Sequence, residues 1–385
     1  MTPGARIQAA AELLDDILSG SPAEKALTSW GRRARYAGSK DRAAVRDLVY
    51  AALRRRRSLT ALGGAETGRA LMLGHLRESG EDPEALFTGQ GHAPAPLTAA
   101  ERMAGRAPDA AEARDLPDWL WPLFQASLGP AAEQVALALR HRAPVHLRAN
   151  LLRTDRAGAA EALAREGIST RPLETAGTAL EVVDGARAVA RSQAFGSGLV
   201  ELQDAASQAV VEALHPVGGR VLDYCAGGGG KTLALAALSG GEILAHDAAP
   251  RRMAGLPARA ARAGAKVRLT GTPADEPGFD LVLCDAPCSG SGAWRRDPEG
   301  KWALTPEALA GLNATQDAIL RSAARLVAPG GRLGYATCSV LQPENEERLA
   351  AFLDAHPGWV VTRQDHWSPG PDGDGFFLAV LTRRA

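Results

Sequence analysis

The chain has 385 residues, 45% of them hydrophobic and 23% charged, and its 44 basic and 44 acidic side chains give a formal net charge of zero. Because single hydrophobic cores rarely exceed about 250–300 residues, two or three domains are expected. The balanced charge argues against a uniformly basic nucleic-acid-binding protein, and no apolar run approaches the roughly 20 residues that span a bilayer. No signal peptide is recognisable, so the expected location is the cytoplasm, with no membrane association.

Four cysteines lie at positions 225, 284, 288 and 338, all in the last part of the chain. Their setting near glycine-rich turns of a cytoplasmic protein favours reduced thiols over disulfides. Cys284 and Cys288 are four residues apart and lack a matching pair of histidines or cysteines. We therefore predict no metal site.

Positive charge is concentrated near the amino terminus. Between residues 31 and 57, ten basic residues face only two acidic ones. The segment up to about residue 59 has apolar side chains at helical spacing, and one of its helices ends in the run Arg54–Arg57. This run is interpreted either as a solvated helix end or as an RNA contact through Arg54, Arg55 and Arg56.

Strand patterns appear only after residue 144. A small α/β unit is predicted over residues 115–200, and from residue 220 strands and helices alternate as in a doubly wound parallel sheet. We expect an all-α domain over 1–114, a small α/β subdomain over 115–200 and a Rossmann-like domain over 201–385. The strand candidates are Arg220–Tyr224, Glu242–His246, Lys266–Leu269, Asp280–Cys284, Gly331–Ala336, Trp359–Arg363 and Gly375–Leu381.

A glycine-rich loop follows the first of these strands, reading C-A-G-G-G-G-K from Cys225 to Lys231. A phosphate-binding P-loop requires glycine where Cys225 stands, so a nucleoside-type cofactor is favoured over a nucleoside triphosphate. Asp247, at the end of the second strand, is predicted either to accept hydrogen bonds from ribose hydroxyls or to cap a helix. Lys231 is interpreted either as a solvated helix-start residue or as a cofactor contact.

Two thiols follow strand-like runs, in D-A-P-C-S-G-S-G from Asp285 and in Y-A-T-C-S around Cys338. Ligands of open α/β sheets bind at the carboxyl ends of the strands, so Asp285 and Cys288 are expected to share a crevice. Cys338 would join them there if the two loops meet. Packing in a core is the alternative for both cysteines.

These blocks occur in one order with L-R-A-N at 147–150, L-Q-D-A-A-S-Q at 202–208, R-R-D-P-E-G-K-W at 295–302 and P-E-N-E-E at 343–347. The set resembles the Sun/Fmu (RsmB-like) family of RNA cytosine-5 methyltransferases, whose bacterial type member methylates small-subunit ribosomal RNA. More weakly, G-S-K-D-R at 38–42 and D-L-V-Y-A-A-L-R-R at 47–55 resemble the helical NusB-like domain of the ribosomal branch.

The resemblance implies a role for each thiol. Cys338 would add to C6 of cytosine, since covalent catalysis of this kind activates the poorly nucleophilic C5. Cys288 would help remove the C5 proton and release the product. Asp285 would hydrogen-bond the cytosine edge, and contact with the amino end of the cofactor is also compatible.

The resemblance also implies S-adenosyl-L-methionine as methyl donor, with Asp247 at the ribose. The remaining cofactor contacts would be Cys225, Ala226, Gly227, Gly228, Gly229, Gly230, Lys231 and Asp285. Two departures from the family pattern stand out. Gly227-Gly228 replace an Ala-Pro pair, which removes a rigid turn, and Thr270 and Thr272 stand where an acid near adenine is usual.

The segment between the cysteine blocks carries three cations, Arg295, Arg296 and Lys301. These are predicted to contact RNA phosphate, with Trp294 or Trp302 available to stack on a base. Packing in the core is the alternative for Trp302. The expected partner is ribosomal RNA and the expected state a monomer. A transfer-RNA methyltransferase and a non-catalytic RNA-binding or ribosome-assembly factor are the alternatives.

Overall fold

The computed structural model describes residues 1–276 and 278–383. The α-helices in these ranges are α1 (Pro3–Leu18), α2 (Ala23–Arg33), α3 (Ser39–Arg54), α4 (Arg56–Gly63), α5 (Gly68–Ser79), α6 (Ala99–Met103), α7 (Ala110–Ala113), α8 (Leu120–Leu128), α9 (Ala132–Ala138), α10 (Arg156–Ala164), α11 (Gln193–Gly196), α12 (Ala205–Glu212), α13 (Gly230–Ser239), α14 (Leu256–Ala263), α15 (Pro298–Ala303), α16 (Pro306–Ala324) and α17 (Glu346–Ala355). The strands are β1 (His146–Ala149), β2 (Ser169–Pro172), β3 (Ala179–Asp184), β4 (Val200–Leu202), β5 (Val221–Asp223), β6 (Ile243–Ala245), β7 (Val267–Leu269), β8 (Phe279–Asp285), β9 (Val327–Thr337), β10 (Trp359–Trp367) and β11 (Phe376–Arg383). No helix within the described ranges has the length and apolar character needed to cross a membrane.

The chain divides into two compact units. The first comprises Met1–Arg142 with Trp294–Ala303, and the second comprises Ala143–Ala293 with Leu304–Ala385. The first unit contains α1–α9 and α15, so the predicted helical amino-terminal region is confirmed. This unit continues to Arg142, beyond the domain boundary that the sequence placed at residue 115. The predicted boundaries at 115 and 201 stay predictions.

The core of the first unit forms where apolar faces of α1, α3 and α5 meet. Leu14, Val49 and Leu71 are fully buried there. Helices α1 and α5 touch backbone to backbone, because a Cβ added at Gly68 would lie 1.9 Å from the carbonyl oxygen of Ala11. Only glycine permits this close packing.

Segment 294–303, which lies between the two cysteine blocks in sequence, packs inside the helical unit. Trp294 stacks on Phe124 with ring centroids 6.0 Å apart. The Lys301 ammonium donates to the carbonyl oxygen of Arg54 at 2.7 Å, and Trp302 Nε1 donates to that of Leu53 at 2.7 Å. Trp294 is therefore a core residue and is not available to stack on a base. Trp302 is half-buried and packs against the helical unit.

The second unit contains two sheets. The larger has the strand order β10-β11-β9-β8-β5-β6-β7, in which β5 to β9 pair in parallel and β11 and β10 are antiparallel. All seven predicted strands are present, and the predicted Rossmann-like fold class is confirmed. The smaller sheet, order β2-β3-β1-β4, is antiparallel and packs with α10 around Leu147, Leu163 and Val200.

The order of the parallel strands creates a switch point beside β5. Strand β5 pairs with β6 on one side and with β8 on the other, so the connections leave in opposite directions. In such sheets a crevice forms at the carboxyl ends of the strands next to the reversal. The glycine loop after β5 and the cysteine loops after β8 and β9 all begin at that edge.

Candidate active site

The two cysteines singled out in the sequence meet in the structure. Cys288 follows β8 and Cys338 follows β9, and because these strands are parallel neighbours their ends lie at one edge. The Sγ atoms are 3.3 Å apart, within contact distance, and both thiols are free. Neither side chain is fully buried, so part of each residue is exposed at this edge.

A buried carboxylate joins the two cysteine loops. Glu344 accepts hydrogen bonds from the backbone N–H of Ser289 at 2.7 Å and from the Ser289 hydroxyl, one residue after Cys288. It also accepts from the hydroxyl of Ser339, one residue after Cys338. Gln316 of α16 completes the set through Nε2 at 3.1 Å. The sequence analysis noted P-E-N-E-E only as a family block, so this residue's place in the site was missed.

The loop around Cys338 is fixed from a second direction by Asn345. Thr337 donates its hydroxyl to Asn345 Oδ1 at 2.6 Å, and Asn345 Nδ2 donates to the carbonyl oxygen of Ser339 at 3.0 Å. Both residues flanking Cys338 are therefore hydrogen-bonded to one side chain. Such a support holds the Cys338 side chain on a defined backbone.

The surroundings of Cys288 favour its protonated form. The contact with the Cys338 sulfur, burial and the negative charge of Glu344 together raise the pKa of the Cys288 thiol well above its usual range. At neutral pH Cys288 is thus a thiol that can donate to Cys338. This pair has the form of a nucleophile next to a proton carrier.

Asp285 forms an ion pair with Lys231. The Lys231 ammonium donates to Asp285 Oδ2 at 2.8 Å and lies 4.7 Å from the centroid of the Phe376 ring. Lys231 is nearly buried, whereas the Asp285 side chain is about one-third exposed. Lys231 is therefore not a solvated helix-start residue, and it fixes an acid that faces the crevice.

A further buried acid lies beneath this pair. Asp223, the last residue of β5, accepts from the Thr232 hydroxyl at 2.6 Å, and its Oδ1 has no hydrogen-bond partner among the described residues. Burial raises the pKa of Asp223 to about 7, and the nearby charge of Asp285 acts in the same direction. The sequence analysis missed Asp223 because it read as the end of an apolar strand.

The glycine loop wraps around Asp247. The Gly227 N–H donates to Asp247 Oδ2 at 2.9 Å, and the Ala249 N–H donates to Oδ1 at 2.8 Å. Arg252 adds an ion pair at 3.1 Å. Asp247 thus stabilises both the loop and the turn after β6, and its predicted contact with ribose stays a prediction.

Two glycines of the loop have backbone conformations that other residues rarely adopt. Gly227 and Gly229 have φ values of +52° and +85°, in the left-handed region that favours glycine. A Cβ at Gly229 would lie 2.2 Å from Leu256 Cδ1, so bare backbone is required there. Thr270, where the resemblance expects an acid, is buried, and its carbonyl oxygen lies 3.1 Å from His246 Nδ1.

The other two cysteines are poor candidates for a nucleophile. Burial raises the pKa of both Cys225 and Cys284 well above the usual range, and the acids at the strand ends add to this effect. Cys284 is fully enclosed in the core below the sheet edge. Cys284 is a packing residue, and the predicted cofactor contact of the half-buried Cys225 stays a prediction.

The structure contradicts three of the predicted RNA contacts. Arg54, Arg295 and Lys301 are only 8%, 3% and 1% exposed. The Arg54 guanidinium donates to the carbonyl oxygen of Arg295 at 2.6 Å, inside the helical unit. Burial lowers the pKa of Lys301 to about 7. A side chain enclosed in this way cannot contact a phosphate in solution, so these contacts were predicted wrongly.

Two more cations of the run are engaged in ion pairs. Arg55 pairs with Glu78 and Arg56 pairs with Glu66, so much of their charge is compensated within the helical unit. Arg296 is exposed and stays a candidate. The sequence could not reveal the two ion pairs of Arg55 and Arg56, because the paired acid lies at least ten residues away along the chain in each case.

Strand order, glycine loop and acid after the second strand together define the Rossmann-fold methyltransferase class. Residues 211–381 match the family model for 16S rRNA methyltransferase RsmB/F, and residues 116–189 match the ferredoxin-like domain model for RsmF/B-like methyltransferases. The two models cover more than half of the chain. The chain belongs to the RsmB/F family, whose methyl donor is S-adenosylmethionine.

Curated relatives carry related names. Probable ribosomal RNA small subunit methyltransferase B of Synechocystis sp. is 33% identical over 283 residues, which cover 70% of this chain and 64% of the relative. Ribosomal RNA small subunit methyltransferase B of Yersinia pseudotuberculosis is 32% identical over 285 residues, covering 70% and 66%. The matched region thus spans slightly less than two thirds of each relative.

Solved structures share the fold. PH0851 has a TM-score of 0.77 at 24% identity, covering 100% of this chain and 99% of its own. NSun6 from Pyrococcus horikoshii with SFG has a TM-score of 0.62 at 18% identity, covering 70% and 98%. At these identities the likeness extends to the fold alone.

Proposed function

We propose that this protein is an S-adenosylmethionine-dependent RNA (cytosine-C5)-methyltransferase that modifies small-subunit ribosomal RNA through a covalent cysteine–C6 intermediate. The observation that carries the proposal is the 3.3 Å contact between the Cys288 and Cys338 sulfur atoms at the carboxyl ends of adjacent strands. Two thiols in a crevice next to a cofactor loop match a reaction that must make and break a carbon–sulfur bond.

The reaction follows from the positions of the two thiols. The Cys338 thiolate adds to C6, which makes C5 electron-rich, and the cofactor supplies the methyl group that C5 then takes. As the adduct forms, the Cys288 thiol gives its proton to N3 of the ring, directly or through water. The resulting Cys288 thiolate then removes the C5 proton of the methylated adduct, and the electron pair of that bond restores the C5–C6 double bond as the bond between C6 and Cys338 breaks and N3 releases its proton to water. The high pKa of Cys288 gives its thiolate the basicity that this proton transfer requires.

Asp285 is proposed to bind the cytosine edge. Addition at C6 increases electron density on the ring, and a protonated N3, whose N–H donates to the Asp285 carboxylate, stabilises it. The ion pair with Lys231 fixes the carboxylate of Asp285 at the crevice. A carboxylate held before the substrate arrives does not need to be reorganised during the reaction.

The RNA-binding surface is proposed to lie at the connection between α2 and α3, together with Arg296. Four cations there, Arg32, Arg33, Arg35 and Lys40, are exposed and have no ion-pair partner among the described residues. Tyr36 is 72% exposed among them. Exposed cations around an aromatic ring suit an RNA strand, since phosphates pair with the cations and a base stacks on the ring.

Ribosomal RNA is favoured as substrate by the names of the curated relatives and by the helical unit that precedes the catalytic part. Transfer RNA is the second candidate substrate, and a non-catalytic assembly factor is the alternative from another class. The Cys288–Cys338 pair favours an enzyme over the assembly factor.

Methyl transfer from labelled S-adenosylmethionine to 16S ribosomal RNA and to transfer RNA, followed by bisulfite sequencing, tests the proposal. We expect 5-methylcytosine in 16S ribosomal RNA with the wild-type protein and none with Cys338→Ala. Label in transfer RNA alone would support the second substrate. Label at another atom of the base, or full activity of Cys338→Ala, would refute the mechanism, and failure to bind S-adenosylmethionine would favour the assembly factor.

A further inference from the structure

The cofactor loop consists of four consecutive glycines, Gly227–Gly230. A segment of this composition is expected to be flexible unless other residues hold it. Each glycine loses more backbone freedom on ordering than any other residue, so a rigid loop needs outside support. The Ala-Pro pair that would restrict the turn is absent here. The hydrogen bonds of the loop show where support comes from.

Two arginines donate to carbonyl groups of this loop. Arg259 of α14 donates to the carbonyl oxygen of Gly228. Arg148 of β1 donates to the carbonyl oxygen of Gly230 at 2.7 Å. Because a planar trans peptide places C=O and the following N–H on opposite sides, each bond also fixes the direction of an N–H group. For Gly230 that group is the N–H of Lys231, in the first turn of α13.

Each arginine is held in turn by a group of the small sheet. Glu201 of β4 is buried and pairs with Arg259 at 3.0 Å. Gln203, directly after β4, accepts from Arg148. The blocks L-R-A-N and L-Q-D-A-A-S-Q, which the sequence analysis left without a role, therefore meet at the glycine loop.

Arg148, which donates to the carbonyl oxygen of Gly230, is buried in the protein. Burial lowers the pKa of Arg148 to about 10, so it stays charged at neutral pH inside the protein. A buried cation of this kind is costly unless its hydrogen bonds are made. Its partners here are an amide oxygen and a loop carbonyl rather than a carboxylate.

We infer that Arg259 and Arg148 are positioning residues that hold the glycine loop in its cofactor-binding conformation. Through them the small four-stranded sheet becomes part of the cofactor site. The inference rests on the proposed function in one respect, that S-adenosylmethionine occupies this loop.

Arg259→Ala tests the inference, with Arg262→Ala as its matched control. Arg262 also pairs with Glu201, but no described hydrogen bond joins it to the glycine loop. Loss of one charge-assisted hydrogen bond in Arg259→Ala should raise the Kd for S-adenosylmethionine about tenfold, with kcat at saturating cofactor nearly unchanged. Arg262→Ala should leave the Kd within about twofold of wild type, a difference of under about 0.5 kcal/mol.

A rescue variant separates loop order from general stability. Gly228 has no left-handed φ, and a Cβ there would meet only the Arg259 guanidinium, at 3.5 Å, so alanine fits. Adding Gly228→Ala to Arg259→Ala restricts the unbound loop and should recover part of the lost affinity without raising Tm to the same extent.

Calorimetry of S-adenosylmethionine binding without RNA supplies the readout, with thermal unfolding in parallel. Wild-type binding with an unchanged Kd in Arg259→Ala would overturn the inference and leave the proposed function standing. An equal loss in Arg262→Ala would also overturn it, because the effect would then come from Glu201. Absence of wild-type binding would instead count against the proposed function.

Discussion

Replacing Glu344 by glutamine tests whether the buried carboxylate sets the spacing of the two thiols. One carboxylate oxygen accepts from the hydroxyls of Ser289 and Ser339, and the other accepts from the Ser289 N–H and from Gln316. In the variant, the NH2 group of the glutamine would face the hydroxyls of Ser289 and Ser339, which can rotate to accept hydrogen bonds. The Ser289 N–H and the Gln316 amide would still donate to the remaining side-chain oxygen. The variant should therefore fold, but with weaker links between the two cysteine loops.

The size of the effect follows from these contacts. Hydrogen bonds to a charged group contribute roughly 1.5–3 kcal/mol and neutral ones roughly 0.5–1.5 kcal/mol. Two bonds that change from the first kind to the second therefore lose about 2 kcal/mol in total. If that free energy holds the thiols in their reactive arrangement, kcat for methyl transfer falls about 30-fold. The cofactor loop contacts other residues, so binding of S-adenosylmethionine should be unchanged.

Steady-state methyl transfer over a range of pH checks this prediction. The Glu344 charge helps to raise the pKa of Cys288, so removing it lowers that pKa. Because Cys288 acts as a base in its thiolate form, the limb on which kcat rises with pH should move to lower pH. Glu347→Gln, at an exposed position in the first turn of α17, is the control and should behave as wild type. A Glu344→Gln enzyme with kcat within twofold of wild type and an unmoved rising limb of the pH profile would refute the reasoning.

Three further results are expected. Cys288→Ala should accumulate an RNA–protein adduct that survives denaturing electrophoresis, because attack by Cys338 is retained and release is slowed; its absence under turnover would contradict the release role. Hydrogen peroxide should convert the two thiols, 3.3 Å apart, into a disulfide with formation of water, and dithiothreitol should restore activity; mass spectra showing separate sulfenic acids would contradict this. Burial lowers the pKa of Lys301 from 10.5 to about 7, so between those pH values the unfolded chain binds more protons and stability rises with pH. Lys301→Met should remove this contribution, up to about 1.4 kcal/mol per pH unit in unfolding experiments from pH 7 to 10, and an unaltered slope would contradict the assignment.

Strand periodicity and local spacing predicted the architecture of the second unit well. The five parallel strands were recognisable as short apolar runs, and the rule that ligands bind at their carboxyl ends brought Asp285 and Cys288 to one crevice. Whether Cys338 joined them depended on β8 and β9 being neighbours, a long-range fact that the structure supplies. The local pattern could not show it.

Charge was the weaker guide, because sequence does not reveal burial or distant partners. The run Arg54–Arg57 looked like a solvated cationic end, yet Arg54 is enclosed by a segment 241 residues away. Lys301 likewise looked like a phosphate contact and is a core residue. Glu344 went unassigned for the same reason, since its donors lie on two loops that only the fold brings together.

The packing of segment 294–303 within the helical unit has a consequence for synthesis on the ribosome. Domains usually fold as they emerge, amino-terminal first, at about 5–20 residues per second. The helical unit cannot complete its core in this way, because Trp294 and Lys301 are made only after residues 143–293. For roughly 8 to 30 s the faces of Phe124 and Arg54 that they cover stay open. The helical unit, although it is synthesised first, can thus complete its core only after most of the second unit has been translated.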